Sequence, residues 1–372
     1  MVNQYGRCIN FSAGPSRLPE EILVKAASEL LNYEGSGCSV MELSHRSAQF
    51  SKIITEAEND LRELLSVPDT HAILFFQGGG TGQFSAIAMN LLSNPNESAD
   101  YLVTGSWSKK AFEEAAKYGK VKQANQPTKV FTSIPDSSTW NISPDAKYVY
   151  YCANETIHGI EWHELPKSVP ENIPLVADMS SNFMTRAVDV SKYGLIFAAA
   201  QKNIGIGGLT VVIVRKDLIG KSQPITPVTY DYKPMFDNNS LYNTPPCFAI
   251  YMTNLYLKWI KKEGGLAAME ENSKVKSKMI YDTIENSNGY YHSPIDVNCR
   301  SRVTIPFRVG GPTGNSDLEA KFLKEAISAG MIQLKGHRSV GGIRASIFNA
   351  ISIEDTKTLV QFMEQFMKAN PL

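Results

Sequence analysis

The sequence predicts an α/β protein with a large domain built on a mainly parallel sheet and a smaller α+β domain at the C-terminal end. Short continuous apolar runs alternate with helical or loop stretches, which is typical of strands covered on both faces. These runs occupy residues 73–76, 101–103, 148–153, 175–177, 196–200 and 209–214. From about residue 262 the chain is more charged, and the pattern changes. We predict a large domain over 16–262 and a small one over 263–372, on which residues 1–15 pack.

Helical periodicity accompanies these runs. Apolar residues recur at helical spacing in four segments: after Pro19 (Leu23, Ala26, Ala27, Leu30, Leu31), from Phe50 to Leu65, from Phe84 to Leu91, and from Phe248 to Trp259. In the small domain we predict a strand over 301–309 and a helix over 316–329. That helix opens with Ser316 and Glu319 at capping-box spacing and closes at Gly330.

Composition limits the classes of function. The 372 residues include 37 basic and 37 acidic side chains, so no basic stripe of the kind that binds nucleic acid is expected. The N-terminus lacks an apolar signal region, and no apolar run is long enough to span a bilayer. The five cysteines are scattered without C-x-x-C spacing, which argues against a disulfide framework or a zinc site: Cys8, Cys38, Cys152, Cys247 and Cys299. We expect a cytoplasmic protein without a metal, nucleic-acid or membrane partner.

A lysine and an acid follow successive predicted strands. Lys202 stands between an apolar run and a glycine-rich turn, and Asp178 ends the preceding apolar run. A lysine that forms a Schiff base needs burial and neighbours that lower its pKa, and a pyridine ring needs a carboxylate to hold the proton on its nitrogen. The pair therefore suggests a pyridoxal phosphate site, although a strand-terminal Asp is as often a helix cap or turn residue.

A glycine-rich turn supplies the third feature of such a site. Residues 77–82, Gln-Gly-Gly-Gly-Thr-Gly, stand between a predicted strand and a predicted helix. Free backbone N–H groups at a helix start favour phosphate. The glycines alone could serve only a tight turn and close packing. The lysine, the acid and the turn together, in this order, predict pyridoxal phosphate binding.

Six segments resemble the phosphoserine aminotransferase family, whose members are class V, pyridoxal-phosphate-dependent aminotransferases. They are residues 11–15, 44–47, 77–84, 200–203, 243–246 and 336–344. The resemblance runs nearly end to end, and its His-Arg pairs separate this family from other aminotransferases of the same fold. It implies a fold-type I transferase with a seven-stranded, mainly parallel sheet in the large domain. It also implies a homodimer with shared active sites.

The resemblance assigns the cofactor contacts. It implies that Lys202 forms the Schiff base and moves the substrate proton, that Asp178 pairs with the ring nitrogen, and that Trp107 stacks on the ring. Thr156 would bond the phenolic oxygen. The phosphate contacts would be Gly80, Thr81 and Gln201 of the same subunit, with Asn243 and Thr244 reaching across from the other. Without the resemblance, Trp107 could equally be a core aromatic residue.

The substrate contacts are assigned in the same way. Arg344 would bind the α-carboxylate, a geometry that suits a planar guanidinium. Four residues would form a cationic pocket for the substrate phosphate: His45, Arg46, His337 and Arg338. The implied reaction moves an amino group from L-glutamate to 3-phosphohydroxypyruvate, giving O-phospho-L-serine and 2-oxoglutarate in L-serine biosynthesis. Use of the 4-phosphohydroxythreonine pair stays open.

One position departs from the bacterial pattern. Many bacterial members carry Arg where this chain has Thr81, and that arginine helps to hold the substrate phosphate. A threonine cannot supply the charge, so the anion would depend on the two His-Arg pairs. Weaker affinity for the phosphorylated substrate is one expected consequence.

Three other functions each match part of the pattern. An aminotransferase acting on alanine and glyoxylate would share the fold but has no phosphate on its substrates, which the two His-Arg pairs argue against. A nucleotide-binding module would need the lysine and hydroxyl of G-x-x-x-x-G-K-[ST], which the glycine turn lacks. A desulfurase would need a cysteine on a mobile loop, and neither Cys247 nor Cys299 has a flexible glycine-rich setting.

Overall fold

The computed structural model describes residues 5–372. Its helices are α1 (Glu20–Glu29), α2 (Ala48–Leu64), α3 (Gly79–Leu91), α4 (Ser106–Ala115), α5 (Tyr232–Asp237), α6 (Cys247–Lys262), α7 (Gly265–Glu285), α8 (Ser316–Ser328) and α9 (Ile353–Ala369). Its strands are β1 (Ile9–Asn10), β2 (His71–Phe76), β3 (Ser98–Leu102), β4 (Lys120–Gln123), β5 (Val149–Cys152), β6 (Asn154–Glu155), β7 (Ile160–Glu161), β8 (Leu175–Asp178), β9 (Leu195–Ala199), β10 (Thr210–Arg215), β11 (Tyr291–His292), β12 (Thr304–Val309), β13 (Met331–Ile332) and β14 (Ile343–Ser346).

A seven-stranded sheet forms the centre of the large domain, in the order β2-β10-β9-β8-β5-β3-β4. Strand β10 is antiparallel to both neighbours, and the other pairs are parallel. This arrangement confirms the predicted mainly parallel sheet. Strand β4 was not predicted, because an edge strand reading Lys-Val-Lys-Gln has no continuous apolar run.

Alternate residues of the central strands enter two separate cores. On β2, Ile73 and Phe75 belong to one core, and Leu74 and Phe76 belong to the other. Helices α2 and α6 pack in the first core, and α3 and α4 pack in the second. Both faces of the sheet are therefore covered, which explains why its strands read as continuous apolar runs rather than alternating ones.

A third core lies in the C-terminal part of the chain. The antiparallel sheet β11-β12-β14 is covered by residues of α7, α8 and α9, including Ile280, Phe322 and Phe366. Strand β1 pairs in parallel with β13, and Phe11 is buried in this core. The N-terminal segment thus contacts the C-terminal core, although residues 1–4 of that segment lie outside the described residues. The domain limits at 15–16 and 262–263 stay a prediction.

The predicted helix at 316–329 is present as α8, but its predicted cap is wrong. The side chain of Asn315 caps the helix by accepting the backbone N–H groups of Asp317 and Leu318 at 3.0 and 3.2 Å. Glu319 instead accepts a 2.6 Å bond from the guanidinium of Arg308. A charge-assisted bond of this kind is stronger than a bond to a neutral backbone N–H, so Glu319 turns toward the arginine.

The carboxyl ends of the parallel strands meet along one edge of the sheet. Asp178 is the last residue of β8, and Lys202 follows β9 after a short turn. The glycine turn follows β2, and α4 begins soon after β3. Ligands of open α/β sheets bind at this edge. Across residues 5–372, none of the helices has both the length and the apolar character needed to cross a membrane.

Candidate active site

A cavity of about 240 Å³ opens at the carboxyl edge of the sheet. Nine of the residues predicted from the sequence line it: Gly80, Thr81, Trp107, Thr156, Asp178, Gln201, Lys202, His337 and Arg344. They come from the strand ends, from the starts of α3 and α4, and from the C-terminal part of the chain. Positions far apart in sequence are therefore brought to a single small volume.

Lys202 and Asp178 are two of the charged residues that line this cavity. Asp178 is 6% exposed and accepts the backbone N–H of Ser180 at 2.9 Å. Burial raises the pKa of Asp178, while the bond from Ser180 and the charge of Lys202 oppose that rise. Burial lowers the pKa of Lys202, and the Asp178 carboxylate opposes that change. A lysine with a lowered pKa is closer to the neutral, nucleophilic form.

The backbone around Lys202 is held from two directions. The backbone N–H of Ser16 donates to the carbonyl of Gln201 at 2.9 Å, and the hydroxyl of Ser16 donates to the carbonyl of Lys202. On the other side, the buried Asn203 donates to the carbonyl of Ser181 at 2.6 Å and accepts the backbone N–H of Asn349. The lysine therefore projects from a fixed turn, as a reactive side chain requires.

Trp107 and Thr156 form one wall of the cavity. The indole N–H of Trp107 donates to the hydroxyl of Thr156 at 2.9 Å. The Nζ of Lys202 lies 5.6 Å from the centroid of the indole ring. A flat aromatic face thus stands beside the lysine, with room for a planar group next to it.

The glycine turn forms the opposite end of the site. Helix α3 begins at Gly79, and Gly78 before it has a φ of 93°, in the left-handed region that favours glycine. A Cβ atom at Gly78 would also lie 2.4 Å from the hydroxyl of Tyr230. The first N–H groups of a helix have no partner within it, so those at Gly79, Gly80 and Thr81 can bind an anion. The predicted strand, glycine turn and helix start are confirmed.

Four basic side chains lie at or near the cavity, and two of them, Arg344 and His337, line it. Arg344, on β14, donates from Nη1 to the carbonyl of Thr156 at 3.1 Å. Burial lowers the pKa of His337, and the charges of Arg344, Arg338 and Lys110 lower it further. In the part of the chain that the structure describes, no ion pair joins any of these four side chains to a carboxylate. The positive field of the two arginines and the lysine is therefore available to an anionic ligand.

Five predicted site residues do not line this cavity in the described chain: His45, Arg46, Asn243, Thr244 and Arg338. Asn243 instead lines a second cavity of about 350 Å³ beside the glycine turn. Gln77 connects the glycine turn to the segment that holds Asn243 and Thr244, because its side-chain amide donates to the carbonyl of Thr244 at 3.0 Å. His45 and Arg46 precede α2. The roles of all the predicted site residues stay predictions.

Two residues near the site were missed from the sequence. Lys110 has its Nζ 4.5 Å from the centroid of the Trp107 indole ring, and nothing in its sequence context distinguishes it from other surface lysines. Glu155 is fully buried and accepts the backbone N–H groups of Trp107 and Ser108. A signal for Glu155 was available: the polar run Asn154-Glu155-Thr156 directly follows a buried apolar strand.

Comparisons with known proteins are consistent with this geometry. The family described as "Aminotransferase class-V" matches residues 8–359. The "Probable phosphoserine aminotransferase" of Caenorhabditis elegans is 56% identical over 98% of both chains, and the "Phosphoserine aminotransferase" of Drosophila melanogaster is 54% identical over 97% of this chain and 99% of its own. A phosphoserine aminotransferase structure from Trichomonas vaginalis, described as bound to PLP, superposes with a TM-score of 0.91 and 44% identity over 96% of this chain and all of the other.

Proposed function

The chain belongs to the class V aminotransferase family and is a pyridoxal-phosphate-dependent aminotransferase; within that family we propose that it is specific for a phosphorylated substrate pair. The proposed reaction transfers the amino group of L-glutamate to 3-phosphohydroxypyruvate, giving O-phospho-L-serine and 2-oxoglutarate. Relatives named phosphoserine aminotransferase that are more than half identical over nearly the whole chain support this assignment. L-serine biosynthesis would be the cellular role.

The residues around the cavity fit pyridoxal phosphate. The cofactor needs an amine for covalent attachment, a carboxylate for its ring nitrogen, an aromatic face and a phosphate site. In this proposal Lys202, Asp178 and Trp107 meet the first three needs, and the start of α3 with Gln201 meets the fourth. When bound, pyridoxal phosphate supplies the carbon that takes the amino group and a ring that delocalises the charge left at the substrate Cα.

Lys202 has two tasks in the proposed mechanism. It would hold the cofactor covalently between turnovers, and its Nζ would be freed when glutamate takes its place. The freed amine would take the proton from the substrate Cα and deliver it to the cofactor carbon that takes the amino group. Its lowered pKa suits this second task, because an amine must be neutral to accept a proton.

Asp178 would hold the proton on the ring nitrogen throughout the reaction. It is buried and lies at the end of a central strand, so water would not compete with the ring nitrogen for its carboxylate. A carboxylate fixed in this position stabilises charge where it develops in the transition state. Arg344 would bind the α-carboxylate of both amino acids, held in place by its bond to the carbonyl of Thr156.

The cluster of basic side chains at and near the cavity is the observation that carries the choice of a phosphorylated substrate. His337 lines the cavity, and Arg338, Lys110 and Arg344 are close enough to lower its pKa. A phosphate monoester brings close to two negative charges at neutral pH. An unphosphorylated acceptor such as glyoxylate would leave this positive field unbalanced, so a phosphate group explains it better.

The remaining predicted contacts support a homodimer. Because His45, Arg46, Asn243 and Thr244 do not line the cavity of their own chain, we propose that they reach the site of a second copy. In that arrangement His45 and Arg46 complete the phosphate pocket. They supply positive charge that many bacterial members obtain from an arginine at the position of Thr81.

The test is an amino-transfer assay on the purified protein with glutamate as donor. Three acceptors are compared: 3-phosphohydroxypyruvate, hydroxypyruvate and glyoxylate. We expect kcat/KM for the phosphorylated acceptor to exceed the others by about 10²-fold or more, because pocket cations left unpaired penalise an acceptor without phosphate. Equal or reversed preference would leave the cofactor chemistry intact and move the protein to an aminotransferase for unphosphorylated substrates.

A variant of the proposed pocket sharpens this assay. Arg338→Ala is expected to raise KM for 3-phosphohydroxypyruvate about tenfold while leaving KM for glutamate nearly unchanged. Arg308→Ala is the matched control, because Arg308 is an arginine of the same region engaged in an ion pair with Glu319. Equal loss of affinity for both substrates in Arg338→Ala would remove the case for a phosphate pocket there.

A further inference from the structure

Glu155 is a fully buried carboxylate that is not among the residues lining the cavity in the described chain. Its Oε2 accepts the backbone N–H of Trp107 at 2.9 Å, and its Oε1 accepts the backbone N–H of Ser108 at 2.8 Å. The hydroxyl of Ser108 donates to the same Oε1 at 2.6 Å. Glu155 thus binds the first turn of α4 from a separate element, the strand β6.

The helix start and the carboxylate are packed against each other. A Cβ atom added at Gly105, the residue before α4, would lie 2.3 Å from the Cδ of Glu155. Gly105 has a φ of −178°, an extended conformation that any residue adopts. Its glycine is therefore required by the space that Glu155 occupies, and not by backbone strain.

The residue after Glu155 holds the other end of the same tryptophan. The hydroxyl of Thr156 accepts the indole N–H of Trp107, while Glu155 accepts its backbone N–H. Two adjacent residues, the last of β6 and the first of the turn after it, thereby fix both the position of the Trp107 backbone and the tilt of its ring. A single hydrogen bond at the ring edge would leave the ring free to pivot about that bond.

We propose that Glu155 is a positioning residue for the cofactor, acting through Trp107 to set the plane of the aromatic ring that faces the bound pyridine. This inference rests on the stacking role of Trp107 in the proposed function. It assigns to the end of β6 and the turn after it a task beyond the contact of Thr156 with the phenolic oxygen: the Glu155-Thr156 pair aligns the indole, and the indole aligns the cofactor.

The chemistry of the contacts requires a carboxylate at this position. All three groups that face Glu155 are donors, and a carboxylate has only acceptors. Burial raises the pKa of Glu155, and the three donors oppose that rise. The amide of a glutamine would match one end of this arrangement and place its NH₂ against an N–H at the other.

Two variants on different elements test the proposal on the holoenzyme. Glu155→Gln removes the charge and places a donor against a donor. Gly105→Ala keeps the carboxylate but displaces it by steric contact. Glu113→Gly is the control: Glu113 is exposed within α4, and glycine there lowers helix stability by about 1 kcal/mol without touching Trp107 or the cavity.

The readouts separate orientation from stability. Visible circular dichroism of the bound cofactor reports its orientation, dilution of the holoenzyme gives its dissociation rate, and thermal unfolding gives Tm. We expect both test variants to weaken the circular dichroism band and to speed cofactor loss about tenfold, the factor expected for one lost bond to a charged group. The control is expected to lower Tm alone.

The outcomes that would overturn the proposal are distinct from those that would overturn the site. Wild-type dichroism and cofactor retention in both variants, even with a lowered Tm, would reduce Glu155 to a helix cap. Should Glu155→Gln fail to fold, the dichroism of Gly105→Ala decides in the same way. Trp107→Ala is measured alongside: an unchanged spectrum there would show that Trp107 does not stack, which removes the proposed site itself.

Discussion

The hydroxyl oxygen of Thr156 accepts a hydrogen bond from the indole N–H of Trp107 at 2.9 Å. An indole N–H can only donate, so the Thr156 oxygen acts as the acceptor in this pair. The hydroxyl hydrogen of Thr156 therefore remains free for another acceptor on the cavity side. The phenolic oxygen of the cofactor is the acceptor that the proposed function places there.

This relationship leads to a prediction for Thr156→Val. The valine keeps the shape but leaves the indole N–H without an acceptor and the phenolic oxygen without a donor. Loss of a donor makes that oxygen more basic, so the pH at which the bound cofactor changes its visible absorbance should rise by about one unit. A pH titration of the absorbance measures it. Thr156→Ser keeps the hydroxyl and should titrate as the wild type, whereas equal shifts in both variants would contradict the assignment.

A second prediction concerns Lys202. Lys202→Ala should remove the visible absorbance of the covalently bound cofactor and lower kcat by about 10⁴-fold or more, because both the anchor and the proton-transferring amine are lost. The absorbance spectrum and single-turnover rates measure these effects.

The control for that variant is a second buried lysine. Lys276 is 2% exposed and donates to the carbonyls of Ile347, Phe348 and Ile351 at 2.7–3.0 Å. Lys276→Met should lower the free energy of unfolding by about 3 kcal/mol, since it leaves buried carbonyls without donors, yet keep the cofactor absorbance. Retained absorbance in Lys202→Ala would show that another lysine carries the cofactor.

The large-domain sheet was predictable because its strands are covered on both faces. Buried parallel strands must be apolar throughout, and β2, β5, β8, β9 and β10 carry that signal directly. Helix α7 shows why other elements were missed. Its inner face buries Ser273, Lys276 and Ser277 among apolar residues, which breaks the expected periodicity. The buried ammonium of Lys276 is stabilised by hydrogen bonds to three carbonyls distant in sequence, and no local pattern can reveal them.

The same distinction applies to the candidate site. Lys202 and Asp178 were found because each follows a predicted strand, and strand ends converge at one edge of a parallel sheet. The polar run that contains Glu155 could mark it as a residue near the site, but not its task, because two of its three donors are backbone N–H groups of α4 that no residue pattern shows. The resemblance named the cationic residues, but the nearness of Lys110 to Trp107 appears only once α4 is placed.

A third prediction separates rate from affinity at Asp178. Asp178→Asn keeps the size of the side chain but cannot balance a positive charge on the ring nitrogen. We expect kcat to fall by about 10²–10³-fold with little change in KM for glutamate, because the lost interaction is strongest in the transition state. Steady-state kinetics with both substrates measures the split. A rise in KM with unchanged kcat would instead assign Asp178 to ground-state binding.

The last prediction uses the pH dependence of substrate binding at His337. In the free protein, burial and the charges of Arg344, Arg338 and Lys110 hold its pKa below the usual value of about 6.5, so the ring is mainly neutral at pH 7. A bound phosphate dianion favours the charged ring and raises that pKa. Between the two values binding takes up a proton, and KM for 3-phosphohydroxypyruvate should therefore rise with pH by up to about tenfold per unit.

The measurement is KM between about pH 6.5 and 8.5. This pH range lies above the second pKa of the phosphate itself, about 6, so the phosphate does not titrate within it. His337→Gln, which cannot titrate, should flatten the dependence, and KM for glutamate should show none of it. The same slope in wild type and His337→Gln would place the titrating group elsewhere and remove His337 from the phosphate pocket.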